Sequence, residues 1–139
     1  MDNFTTTVTI ERPVHEVWQL LTDWQQAPRW MAGIEGCSAP EGLAVGKTLR
    51  FTARGAERQS VVRDVVDQRK LVLESTQGAV VATYTYSCEP RGAGTALTLH
   101  AVCRARGPMT LLMPLIRYLM KRVDGGQPAA LKRLLESSG

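Results

Sequence analysis

At 139 residues, with 44% hydrophobic and 22% charged side chains, the chain has the size and composition of one globular domain spanning 1–139, and it is too apolar for a disordered segment. The longest mostly apolar run, Met109 to Met120, contains Pro114 and Arg117 and falls short of the ~20 residues that a membrane-spanning helix needs. Net charge is +4, and the excess sits at the C-terminal end, where Arg104, Arg106, Arg117, Lys121, Arg122, Lys132 and Arg133 face only Asp124 and Glu136.

Nucleic acid is not expected as a partner, because the chain has no zinc spacing and no RNP-like strand motif, and Tyr118 is the sole aromatic among those basic residues. The start Met1-Asp2-Asn3-Phe4-Thr5 lacks the basic and apolar stretches of a secretory signal. Cys37, Cys88 and Cys103 are odd in number and unpaired in spacing, so a reducing, cytoplasmic location is the expectation.

Phe4 to Ile10 alternates, with Phe4, Thr6, Val8 and Ile10 on one face, and reads as a first strand. Pro13 then suits the opening turn of a helix whose apolar face is Val14, Val17, Trp18 and Leu21, ending near Asp23. Trp24 to Met31, interrupted by Pro28, predicts a second short helical turn. From Ile34 the period becomes two, with turn signals at Pro40-Glu41-Gly42, Arg54-Gly55, Gln77-Gly78 and Arg91-Gly92-Ala93-Gly94. These divide the segment into six antiparallel strands at about 34–39, 47–54, 57–67, 70–77, 79–89 and 95–106. Leu49 with Phe51, Leu71 with Leu73, Tyr84 with Tyr86, and Leu97, Leu99, Ala101 and Cys103 mark the concave side.

After Gly107-Pro108 the period returns to 3.6, with Met109, Leu112, Met113, Ile116, Leu119, Met120 and Val123 along one stripe. Leu111, Leu115 and Tyr118 widen that arc beyond what one sheet covers. Pro114 opens or kinks this long helix, and Gly125-Gly126 either hinges it or simply breaks it before Ala130, Leu131, Leu134 and Leu135 resume the stripe.

The run Ile10-Glu11-Arg12-Pro13-Val14-His15-Glu16-Val17-Trp18-Gln19-Leu20-Leu21-Thr22-Asp23-Trp24, followed by Pro28-x-Trp30, resembles the opening of the START-like, or SRPBCC, superfamily of polyketide cyclases/dehydrases and lipid-transport proteins in its bacterial branch. Val45-Gly46 and Gly92-x-Gly94-Thr95 sit where that family places them. The resemblance implies an α+β helix-grip fold: a seven-stranded curved antiparallel sheet around a long C-terminal helix, with two short helices after the first strand. It also implies an apolar cavity between sheet and helix that takes a small hydrophobic molecule such as a lipid, quinone or polyketide. A filled core is the alternative.

Side chains expected inward by period, and therefore candidate ligand contacts, are Phe51, Leu73, Tyr84, Tyr86, Leu99, Cys103, Leu112, Ile116 and Met120. Further polar groups near such a cavity are Ser75 and Tyr118, while Arg50 is expected to face water and Arg63 is a second guanidinium in a strand. His15 and His100 read as surface residues, the cysteines as small buried hydrophobes, and Asp23 as a cap that hydrogen-bonds the next turn. No metal set, no Gly-x-Ser-x-Gly elbow, no Walker loop and no dinucleotide fingerprint occur, so no metal, no cofactor and no assigned catalytic residue are expected. Binding of a hydrophobic ligand is the leading reading, with polyketide cyclase/dehydrase chemistry in the same cavity as the alternative. A membrane surface or a second copy of the chain is the partner that the wide, basic C-terminal helix would suit.

Overall fold

The computed structural model describes residues 4–31, 34–39, 42–53, 55–77 and 79–137. Strands β1 (Phe4–Ile10), β2 (Ile34–Ser38), β3 (Thr48–Ala53), β4 (Ala56–Val66), β5 (Lys70–Gln77), β6 (Val80–Arg91) and β7 (Gly94–Ala105) form one antiparallel sheet in the order β1-β7-β6-β5-β4-β3-β2. Each strand boundary lies within two residues of the expected one. Of the expected turn residues, Pro40, Glu41, Arg54 and Gly78 lie outside the described residues.

β2 to β7 are sequential hairpins, and β1 returns beside β7, so the first two strands occupy opposite edges. The connection between them crosses one end of the sheet as helix α1 (Val14–Leu21) and a 3-10 turn, Trp24–Arg29. Trp18, Trp24 and Trp30 are all buried there, with Val17, Leu21 and Ala27, and bind this crossing to the strands. Asp23 departs from expectation: its side chain is exposed and makes no cap hydrogen bond, and its backbone oxygen instead accepts the Gln26 N–H at 3.0 Å. The tighter turn already supplies that acceptor from the main chain.

Two bulges bend the sheet, between Ile34 and Gly36 in β2 and between Val62 and Asp64 in β4. At the β6–β7 turn Gly92 has φ +60°, and a Cβ on Gly94 would lie 2.5 Å from the Ile10 oxygen. Glycine is therefore required where the end of β1 meets the start of β7.

The C-terminal segment departs most from a single long helix. A 3-10 turn, Gly107–Leu112, precedes α2 (Met113–Asp124), and α3 (Gln127–Ser137) follows the Gly125-Gly126 break. Pro114 thus opens α2 rather than kinking it, as its missing N–H permits in a first turn. α3 packs on β1, α1 and β7 through the fully buried Leu131. α2 lies against β7 with Met113 buried and Ile116 and Met120 half-buried. Within the predicted stripe, Leu112 and Leu119 face solvent, and the Val123 side chain lies outside the described residues. The architecture is the helix grip, with its C-terminal helical segment in two pieces.

Candidate ligand site on the inner face

The register assigns the inner face as rows running across the strands. One row is Thr6, Leu99, Tyr86, Leu71 and Val65; the next is Phe4, Ala101, Tyr84, Leu73 and Val62. Beyond them comes a row of small side chains, Cys103, Ala82, Ser75 and Ser60, closed by Leu49. At the rim Arg58 stands opposite Phe51, which in turn faces Cys37. Side chains directly opposite in such pairs have Cβ atoms about 4.5–5.5 Å apart, so each row is a continuous surface.

Of the residues predicted to line a cavity, Leu73, Tyr84, Tyr86, Leu99 and Cys103 occupy neighbouring positions on β5, β6 and β7. Leu73, Tyr86, Leu99 and Cys103 are buried, whereas Tyr84 and Phe51 remain half-buried. Ile116 and Met120 are on the covered side of α2. Leu112 is not brought to this group: it ends the 3-10 turn and is 48% exposed, because the chain is not yet in the α-helical period that would turn it inward. Tyr118 is also outside, exposed and within 3.3 Å of an Arg122 guanidinium nitrogen that donates to its hydroxyl.

The inner face carries polar groups that period alone did not reveal. Tyr86, 2% exposed, donates its hydroxyl to Gln127 Oε1 at 2.6 Å, and Gln127 is itself buried at the start of α3. The Trp30 ring meets the Tyr86 ring edge-on, with centroids 6.1 Å apart, and the buried Trp30 indole N–H has no hydrogen-bond partner among the described residues. A buried unsatisfied donor costs about 1–3 kcal/mol. Ser60 is buried, and its hydroxyl and that of Ser75 lie 2.5 Å apart. Gln127 follows two glycines and precedes Pro128, a pattern that suggests a helix start and gives no hint of burial. Ser60 and Arg58 were legible in principle, since strand pairing sets them opposite Leu49 and Phe51.

The remaining candidates are on the outer face or are chemically quiet. Arg50 is exposed, and Arg63 is exposed and ion-paired with Glu74 at 2.7 Å. His100 pairs with Thr5 through its Nδ1, 2.8 Å from the threonine hydroxyl, on the face away from Leu99 and Ala101. Burial pushes the Cys37 and Cys88 thiols up to about 11, so neither is a thiolate near neutral pH. Among the described residues no three His, Cys, Asp or Glu side chains form a metal-binding group, and no histidine or carboxylate stands on an inner-face strand position.

A family model described as polyketide cyclase/dehydrase and lipid transport matches residues 1–136. Among solved structures, a START superfamily protein from Mycobacterium smegmatis is 17% identical with a TM-score of 0.78, over 98% of both chains. A protein from Mesorhizobium loti is 18% identical, TM-score 0.77, covering 98% of this chain and 99% of its own. A polyketide-cyclase-like protein from Corynebacterium glutamicum is 22% identical, TM-score 0.68, covering 99% and 94%. At these identities the structures establish the fold alone. No curated protein matches the chain.

Proposed function

We propose, from the premise that the chain belongs to the polyketide cyclase/dehydrase and lipid transport family, that it binds a small hydrophobic molecule between the inner face of the sheet and α2. The observation that carries this reading is Tyr84. It stands at the centre of the inner face between the buried Leu73 and Ala101, yet it stays half-buried, beside a row of side chains no larger than cysteine. A filled core would place bulk there, since interiors pack to crystal density. In this reading Leu73, Tyr86, Leu99 and Cys103 form the floor, and Phe51, Tyr84, Ile116 and Met120 offer apolar surface to the ligand. The Ser60–Ser75 hydroxyls, the Arg58 guanidinium and the Trp30 N–H favour a ligand with at least one oxygen acceptor.

Binding is favoured over cyclisation or dehydration because proton transfer at neutral pH calls for a histidine or a tuned carboxylate within reach of the substrate. The inner-face positions described above hold neither.

Native mass spectrometry of the purified chain tests this directly. A co-purified adduct of lipid or quinone mass is expected, and Ala82→Phe, which fills the row of small side chains, should deplete it while leaving the circular dichroism unchanged. An adduct that persists undiminished in that variant would locate the ligand elsewhere.

A further inference from the structure

We infer that the outer side of the 3-10 turn and α2 docks on an anionic lipid bilayer. The helix is two-sided in an uncommon sense: Met113, Ile116 and Met120 face the sheet, while the opposite side is also apolar. Leu111 is 85% exposed, Leu115 55% and Tyr118 58%, and Leu112 and Leu119 are about half exposed. On α2, positions 115, 118 and 119 recur at helical spacing and form one strip, with Leu111 and Leu112 exposed just before it in the 3-10 turn. Contiguous exposed apolar surface of this kind marks a contact with something apolar.

Charge selects the partner. Exposed Arg106, Lys121 and Arg122 flank the strip, and the chain has no acidic residue between Glu89 and Asp124. A second copy meeting this face across a two-fold axis would set the same cations against each other, with no carboxylate on the exposed side of residues 106–122 to neutralise them. An anionic bilayer answers both features at once, accepting the leucines below its headgroups and attracting the basic rim. Tyr118, whose hydroxyl accepts from Arg122, has the amphipathic form that suits the interface between them. The docking side is the reverse of the side that carries Ile116 and Met120, so the inference does not depend on any molecule being bound beneath α2.

Co-sedimentation of the full chain with vesicles tests it. Binding is expected to vesicles of phosphatidylcholine containing phosphatidylserine, absent for phosphatidylcholine alone, and released by high salt. Leu111→Ser with Leu115→Ser and Leu119→Ser should weaken partition by about tenfold or more. Lys121→Glu with Arg122→Glu should abolish the preference for phosphatidylserine. All five side chains are exposed, so unchanged circular dichroism is expected for both variants. Absence of phosphatidylserine-dependent sedimentation would overturn the inference, as would undiminished binding by the leucine variant. A native dimer that the leucine variant dissociates, with no vesicle binding, would assign the face to a second copy and overturn it equally.

Discussion

α2 and α3 are consecutive helices of similar length, separated by two glycines, yet they relate to the sheet in different ways. α3 buries Leu131 completely and is tied down by side chains: Arg12 Nε donates to the Leu135 oxygen at 3.2 Å, Lys132 Nζ to the Thr9 oxygen at 2.7 Å, and Glu136 accepts the Glu11 N–H at 2.9 Å. α2 rests on Met113 with Ile116 and Met120 partly covered, and shows solvent Leu115, Tyr118 and Leu119. Two helices of comparable apolar content thus divide the work. One completes the hydrophobic core, and the other lies against β7 with its outer apolar side still available.

The sharpest way to break this contrast is truncation on both helices. Leu131→Ala should cost about 2–5 kcal/mol of unfolding free energy in urea, because it empties a fully buried site. Leu115→Ala should stay within about 0.5 kcal/mol of the parent chain. Comparable losses would mean that α2 is as much part of the core as α3.

Next in size is the hydrogen bond that joins the start of α3 to the sheet. Tyr86→Phe removes the donor to a buried amide oxygen and should lower stability by about 1–3 kcal/mol, with little change in packing volume. An unchanged denaturation midpoint would show that Gln127 does not anchor the junction.

The two glycines between the helices should respond oppositely. A Cβ on Gly125 would overlap the Lys121 carbonyl oxygen, whereas nothing lies within 4 Å of the Cβ position on Gly126. Gly126→Ala should therefore raise stability by about 0.4–1 kcal/mol by limiting the unfolded chain, and Gly125→Ala should lower it. Slower ligand entry in Gly126→Ala would further identify the break as a hinge that moves α2.

The smallest effect is electrostatic and confined to α3. Hydrogen bonding from Lys132 and from the Glu11 N–H holds the Glu136 carboxyl below its ordinary value. Its contribution is present above the unfolded-state pKa and disappears as pH falls through the folded-state value. Thermal melts should place Glu136→Gln slightly below the parent at neutral pH, and the difference should close in acid.

Most of the architecture was legible because strand and helix periods survive in the side chains: the face Phe4, Thr6, Val8 and Ile10 opposes Ala101, Leu99, Leu97 and Thr95 as parity requires. The inward strand positions followed from the same parity. Period could not say how far α2 is covered, since Leu112 and Leu119 satisfy a helical stripe whether or not anything lies above them. Nor could it reveal the Tyr86–Gln127 bond, which joins residues 41 positions apart and depends on where the broken helix restarts.

The contacts between α3 and β1 also bear on how copies of this sheet avoid joining each other. The Thr9 carbonyl and the Glu11 N–H, at the end of β1 and just beyond it, are the acceptor and donor that an incoming strand would seek, and Lys132 and Glu136 already occupy them. The other edge, β2, is only five residues long and carries a bulge. Short, bulged or side-chain-capped borders make poor templates for intermolecular pairing. The same helix that closes the core therefore also occupies edge groups at the end of one border of the sheet.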